Sequence, residues 1–437
     1  MKRVFVCDNI GVNEEGHLTF AGQDTTLLAK EFGTPLYLLD EERIRRNMRV
    51  YKESFAKYFP KGSIPLYASK AASFMDIYRI AASEGMAIDV VSQGEIYTAQ
   101  KAGYDLSYAH FHSNNKTDAD VAFAMDLHIG YFVVDNREEI EVIEREAEKR
   151  GITQKILLRL TPGIDTHTYA AVNTGLVDSK FGTAIETGQA MEMVKYVLSR
   201  KHIELRGFHC HVGSQVFAED VFERSAVIML RFIKQVYDEL SFMAPELDLG
   251  GGYGVRYVNS DPYLEIAQKI RSVADAIGKE CEALNLPVPA ILMEPGRSIV
   301  ADAGMTLYEV GTVKRITGYM NYVSIDGGMT DNPRYALYRS AYICLNASRM
   351  EEECTMVASL VGRCCESGDK IQENVPFPGT TCRGDIIAVC TTGAYNYSMA
   401  SNYNRIPRPA VVKLCGDKSA VTVVRRETLE DLLACDI

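Results

Sequence analysis

Several things are missing from this sequence, and each absence removes a class of protein. No stretch approaches the ~20 apolar residues that a membrane-spanning helix requires, so no integral membrane protein is expected. The opening MKRVFVCDNIG has no long apolar run, so neither a secretory leader nor an anchor is expected there. The eleven cysteines contain no metal-type C-x-x-C…C-x-x-C pair, and Cys364-Cys365 is their only adjacent pair. An odd count without secretory context points to free thiols in a reducing compartment, the cytoplasm. Positive charge is short as well: 47 Lys and Arg face 58 Asp and Glu, a net charge of -11. That balance disfavours nucleic acid and anionic membranes as partners, while leaving room for a local basic pocket. No internal repeat and no low-complexity segment is visible.

What is present is a long chain with enough apolar residues for a large core. With 437 residues, 47% of them hydrophobic, more than one domain is expected. Residues 1–34 read as an irregular lead-in. PLYLL at 35–39 reads as a strand, followed by a charged helix with apolar points at Ile44, Met48, Tyr51 and Phe55. Short apolar runs suited to buried parallel strands then recur: IPLYAS at 64–69, AIDVVS at 87–92, LSYAH at 106–110 and GYFVV at 130–134. They continue with KILLRL at 155–160, LRGFHCH at 205–211, ELDLG at 246–250 and AILMEP at 290–295. Helical patterns such as 138–150 and 221–239 separate most of them. Eight strands in one alternating series predict an α/β fold with a closed (β/α)8 barrel, against the rival of a doubly wound open sheet. The barrel is assigned to 35–298, with the strand 35–39 free to join the next domain instead. From 299 to 437 the pattern changes to alternating segments at 305–316, 321–325, 355–361, 385–391 and 410–427. They predict a C-terminal β-rich domain of antiparallel strands, of Greek-key or β-barrel type.

Barrels carry their chemistry at the C-terminal ends of the strands. Lys70, Ser92, His211, Gly250 to Gly252 and Glu294 all fall there. Lys70 in YASKAAS is either a surface lysine or, in a desolvated pocket, an amine able to form a Schiff base with an aldehyde. Gly250-Gly251-Gly252 is either a turn or a nest of backbone N–H groups for a phosphate. Glu294-Pro295-Gly296-Arg297 at the next strand end brings a further glycine and a cation to the place where barrels often bind phosphate. Glu294 is either a structural ion-pair partner of Arg297 or the carboxylate that keeps the pyridine nitrogen of pyridoxal 5'-phosphate (PLP) protonated. His211 could stack on such a ring and Ser214 could reach its phosphate or a ring oxygen. His209 reads as structural. A metal on His209 and His211 lacks an evident third ligand, and no metal is expected. In the second domain Arg334 and Tyr338 sit four apart, and arginine suits bidentate binding of a carboxylate. Cys365-Glu366 in RCCESGD offers a proton donor and an anionic site, or an inert thiol beside a surface acid. Tyr395 follows a Gly-containing bend and could equally be a surface aromatic.

These segments, in this order, resemble the alanine-racemase-like, fold type III group of PLP-dependent enzymes, and within it the diaminopimelate decarboxylase family. The matching segments are YASKA, DVVSQGE, SKFG, HVGSQ, LDLGGGYG, EPGR, DNPRYALY, CESGD and GAYNYSMASNYN, spread over nearly the whole chain. The resemblance implies that Lys70 holds PLP as a Schiff base and that His211 stacks on the ring. It implies cofactor contacts from Ser214, Gly251, Gly252, Glu294, Gly296, Arg297 and Tyr395. It further implies substrate contacts from Arg297, Arg334, Tyr338, Glu366 and Tyr395, and a proton delivered by Cys365. The implied reaction is decarboxylation of meso-2,6-diaminopimelate, a small amino acid, to L-lysine and carbon dioxide, the last step of lysine biosynthesis. The implied assembly is a homodimer with shared active sites, in which Cys365 and Glu366 come from the other subunit. Three rivals remain: decarboxylation of ornithine, arginine or carboxynorspermidine; racemisation; and a catalytically silent, PLP-free binding protein. Cys364 departs from the pattern by adding a second thiol; on extended backbone only one of the two could face a site.

Overall fold

The computed structural model describes residues 5–164 and 179–437. The chain divides into two compact units. One comprises the residues up to Arg46, Val255–Tyr263 and Ile299–Ile437; the other comprises Asn47–Gly254 and Leu264–Ser298.

The second of these is a barrel. Its strands are Ile64–Ala68, Ala87–Val90, Ala109–Phe111, Tyr131–Val134, Gln154–Thr161, Ile203–His209, Glu246–Asp248 and Ala290–Met293. They correspond to the eight apolar runs of the sequence. All neighbours are parallel, and two pairings close the ring. Leu292 aligns with Ile64 between the last strand and the first. Tyr131 aligns with Lys155 between the fourth and the fifth. That closure rules out the open-sheet rival. Continuous apolar runs are what strands buried on both faces require. Leu66, Ile88, Phe132, Leu157, Phe208 and Ile291 are all fully buried.

Helices follow the strands where the patterns place them, among them Arg137–Arg150 and Val221–Leu240. Asn136 caps the first of these by accepting the N–H of Glu139, and Gly151 ends it at φ 63°. An N-cap oxygen satisfies a backbone donor that the helix leaves orphaned, and glycine takes the left-handed turn without a Cβ penalty. Ser92 does similar work, accepting the Glu95 N–H at the start of Gln93–Lys101. Its strand-end position therefore has a local structural cause.

The other unit is β-rich, as expected, but differs from expectation in three ways. First, the lead-in is not irregular. It holds strands Ile10–Val12, Leu18–Phe20 and Gln23–Asp24 and the helix Thr25–Phe32, which Asp24 caps. Strands of two or three residues are too short for alternation to show in sequence. Second, the sheet is mixed rather than antiparallel. Leu36–Asp40 runs antiparallel to Gly304–Lys314 and parallel to Ala410–Leu414. Asn321–Ile325 is likewise parallel to Cys354–Val361. Long connections allow both parallel pairings, since only antiparallel neighbours can be joined by tight turns. Third, strands Cys344–Asn346 and Lys370–Pro378 appear where none was expected. The latter ends its sheet and carries two prolines, which an edge strand tolerates. One face of this sheet, with Leu36, Leu38, Met305, Leu307, Val412 and Leu414, forms the unit's core.

Candidate active site

The C-terminal ends of the barrel strands carry a ring of polar side chains. Lys70 lies two residues past the first strand, in the short turn Ser69–Ala71. Its Nζ is 3.1 Å from Oδ2 of Asp89, a fully buried residue of the second strand. His112 directly follows the third strand, and His209 ends the sixth. Asp248 ends the seventh, and Glu294 follows the eighth. Arg159, near the end of the fifth, lies 4.3 Å from the Phe181 ring.

Glu294 is the centre of this ring. Its Oε1 is 2.8 Å from His112 Nε2 and 3.2 Å from His209 Nε2. Burial favours the neutral acid here, but the two imidazoles outweigh it and hold the carboxyl well below the usual carboxylate range. The neighbouring Asp248 goes the other way. Burial and the Glu294 charge push it well above its ordinary value. Two buried carboxylates side by side do not both ionise, and their surroundings decide which one keeps the proton.

His211 is half-buried. Desolvation and the Lys70 charge lower its imidazole well below its ordinary value, so the ring is neutral. A neutral ring can accept a hydrogen bond, and its Nδ1 takes the Gly251 N–H at 3.2 Å. Ser214 Oγ accepts from Arg297 Nη2 at 2.9 Å. The glycines have packing reasons of their own. A Cβ on Gly251 would lie 2.0 Å from the Glu294 carbonyl oxygen, and one on Gly252, at φ 123°, 2.1 Å from that of Gly213. Gly296 is milder, with its Cβ position 3.0 Å from Ala68. The chain segments after the sixth, seventh and eighth strands thus meet backbone to backbone. The barrel brings together Lys70, His211, Ser214, Gly251, Gly252, Glu294, Gly296 and Arg297.

The remaining expected residues lie in the β-rich unit. Arg334 is buried in the helix Arg334–Tyr338. It donates to the Tyr342 hydroxyl at 2.7 Å and stacks 4.9 Å from the Tyr257 ring. Burial pulls against its charge, but Tyr257 and Tyr342 more than compensate and raise its pKa. Tyr338 and Tyr395 are half-buried, and Tyr395 takes φ 61°, a left-handed conformation uncommon outside glycine. Cys365 and Glu366 are exposed in a bend rather than on a strand. The Cys365 N–H donates to Asn404 Oδ1, and Glu366 Oε1 accepts the Gly368 N–H.

Sequence reading did not single out Asp89, His112, Arg159 and Asp248, which the structure places in this ring beside His209, read from sequence as structural. Their strand-end positions were the available signal. Asp89, Arg159 and Asp248 are embedded in apolar runs and passed for core, while His112 opens a polar segment, HSNNK.

The barrel residues fit pyridoxal phosphate. An amine sits beside a buried acid, and the buried Glu294 carboxylate, which two imidazoles hold ionised, carries a charge suited to a pyridine N–H. Comparison with known proteins gives the same class. Residues 41–301 match the pyridoxal-dependent decarboxylase, pyridoxal binding domain family. The diaminopimelate decarboxylase of Staphylococcus aureus (strain COL) is 43% identical, over 97% of this chain and 98% of that protein. That of Bacillus subtilis (strain 168) is 42% identical, over 97% and 96%. A crystal structure of the M. jannaschii diaminopimelate decarboxylase in co-complex with L-lysine superposes with a TM-score of 0.90. It is 31% identical, with 99% of each chain covered. The fold and the match thus define a PLP-dependent decarboxylase. The chain belongs to the diaminopimelate decarboxylase family.

Proposed function

We propose that this enzyme converts meso-2,6-diaminopimelate to L-lysine and carbon dioxide, the last step of lysine biosynthesis. The observation that carries the reading is full-length similarity to decarboxylases of that name, joined to the polar ring at the barrel mouth. Lys70 Nζ would be the covalent anchor of PLP, and Asp89 holds that amine in place. His211, a neutral imidazole, would lie against the ring of bound PLP. Gly251, Gly252, Ser214, Gly296 and Arg297 would hold the phosphate edge of PLP, and Glu294 would hold its pyridine nitrogen. Bound PLP supplies the electron sink for the pair left when the Cα–carboxylate bond breaks.

The rest is binding and proton delivery by the β-rich unit. Arg334 and Tyr338, with Arg297, orient the substrate's carboxylates, and Tyr395 touches both cofactor and substrate. Glu366 takes the distal ammonium, and Cys365 Sγ supplies the proton to Cα. The exposure of Cys365 and Glu366 supports a homodimer in which each subunit lends them to its partner's site. Eleven free cysteines support a cytoplasmic location. Among the described residues no helix is long and apolar enough to cross a membrane.

The deciding experiment measures carbon dioxide release from diaminopimelate, ornithine, arginine and carboxynorspermidine, with chiral analysis of the product. Turnover of diaminopimelate to L-lysine is expected. Efficient release from ornithine without release from diaminopimelate would overturn the assignment. A visible absorbance band, lost in Lys70→Ala, is expected for the cofactor bond. A wild-type enzyme that shows no band and binds no added PLP would instead favour the binding-protein rival.

A further inference from the structure

We infer that His112 and His209 are positioning residues for Glu294, clamping its carboxylate for the pyridine nitrogen, and that His112 links this clamp to the Asp89–Lys70 pair. The inference rests on the proposed role of Glu294.

The geometry is specific. Two imidazoles from opposite parts of the ring of strands, one after the third and one ending the sixth, converge on the same oxygen, Oε1. Their rings meet edge to face, with centroids 5.0 Å apart and an interplanar angle of 70°. All three side chains are buried. The same His112 Nε2 is also 3.8 Å from Asp89 Oδ1, and Asp89 Oδ2 is the oxygen that meets Lys70. The reactive amine, Asp89, His112 and Glu294 therefore lie in one polar cluster, with His112 Nε2 between the two carboxylates. Asp248 lies against Glu294 from the seventh strand and Arg159 faces the group from the fifth. His110, stacked 4.3 Å from Tyr131, lies behind His112.

Neither imidazole nitrogen nor Glu294 Oε1 makes an aligned hydrogen bond, although their distances are short. Buried polar atoms left this way are destabilising, so a purely structural cluster would be expected to align them. Two imidazoles crowded on one carboxylate oxygen instead fix where that carboxylate points, at a cost in local satisfaction. Function is where such costs are tolerated. A metal is the obvious competitor, because His112, His209 and Glu294 offer three ligand atoms within 4.8 Å of one another. Bonds of about 2.0 Å around a tetrahedral zinc set ligand atoms about 3.3 Å apart. The 2.8 Å approach of His112 to Glu294 is direct contact instead.

The test uses the full-length enzyme with His112→Phe, which keeps the ring and removes its nitrogens, and His112→Gln, which keeps a donor. Each is made alone and with Glu294→Gln. Titration of the apoenzyme with PLP should give a dissociation constant raised about tenfold or more for His112→Phe and largely rescued in His112→Gln, in the range seen when groups that orient a ligand are removed. The 15N chemical shift of ring-labelled PLP should move toward the unprotonated pyridine in the Phe variant only. The two substitutions should be non-additive, as expected for groups acting through one another. A Phe variant with wild-type affinity and 15N shift overturns the inference, and so does full additivity with Glu294→Gln. Tight zinc binding by the apoenzyme, lost in His112→Phe, would overturn it in favour of the metal. If wild-type protein binds no PLP, the proposed function fails first. If it binds PLP and the variants match it, only the clamp fails.

Discussion

Asp369 separates two neighbouring thiols: its Oδ2 accepts the Cys364 N–H at 2.7 Å, while Cys365, one residue on, projects from the bend into the open. Burial and the Asp369 charge push the Cys364 thiol up to about 12. Cys364 is half-buried, and its raised thiol keeps its proton throughout the working range. Cys365→Ser is expected to lower kcat by about a hundredfold, the usual scale for losing a general acid. Cys364→Ser should change kcat by less than about threefold, since no proton transfer depends on it. Steady-state carbon dioxide release measures both, and the reverse ranking would reassign the proton donor.

Arg334 is held on two sides, by the Tyr342 hydroxyl and the Tyr257 ring. That leaves the planar guanidinium with a fixed orientation, which a lysine cannot reproduce. In Arg334→Lys, kcat/KM for diaminopimelate should fall by about tenfold to a hundredfold, the range of a charge-assisted hydrogen bond. KM should carry most of the change, and the visible spectrum of bound cofactor should stay the same. An unaltered KM would remove Arg334 from substrate binding.

Asp331 governs a pH dependence of stability. It is buried, and its carboxylate accepts the Gly328 N–H at 2.9 Å and the Tyr308 hydroxyl at 3.3 Å. Burial nevertheless pushes its pKa up to about 8. The folded protein therefore holds a proton that the unfolded chain has released above about pH 4. Stability from this group is complete at low pH and declines as pH rises toward 8, by up to about 1.4 kcal/mol per pH unit. Asp331→Asn should flatten that decline, gaining on the wild type as pH rises from 5 to 8.5. Urea denaturation across the range reads the difference, and parallel curves would show that Asp331 ionises normally.

The barrel was legible in the sequence because its strands are buried on both faces. IPLYA, YFVV and AILM announce themselves as apolar runs, and the structure places strands on each. The β-rich unit was less legible. Cys344–Asn346 has three residues, and Lys370–Pro378 mixes charges and prolines because it lies at an edge. Pairing direction could not be read from alternation, which is the same for parallel and antiparallel neighbours. Within the site, Lys70, His211 and Glu294 stood out by position and by the segments around them. His112 and Asp89 did not: Asp89 lies between apolar neighbours and His112 at the start of a polar segment, and each acquires meaning only from what closes around it in three dimensions.

The strand Leu36–Asp40 lies between Gly304–Lys314 and Ala410–Leu414, so the β-rich unit is stitched from both ends of the chain. This imposes an order on synthesis. The barrel's last strand ends at Met293, and its ring of hydrogen bonds can close while translation continues. The first-made strand of the other sheet must wait for residues 410–414, nearly four hundred positions later, before its second edge is covered. Until then it is an exposed apolar edge, the stage at which the growing chain is most open to mispairing.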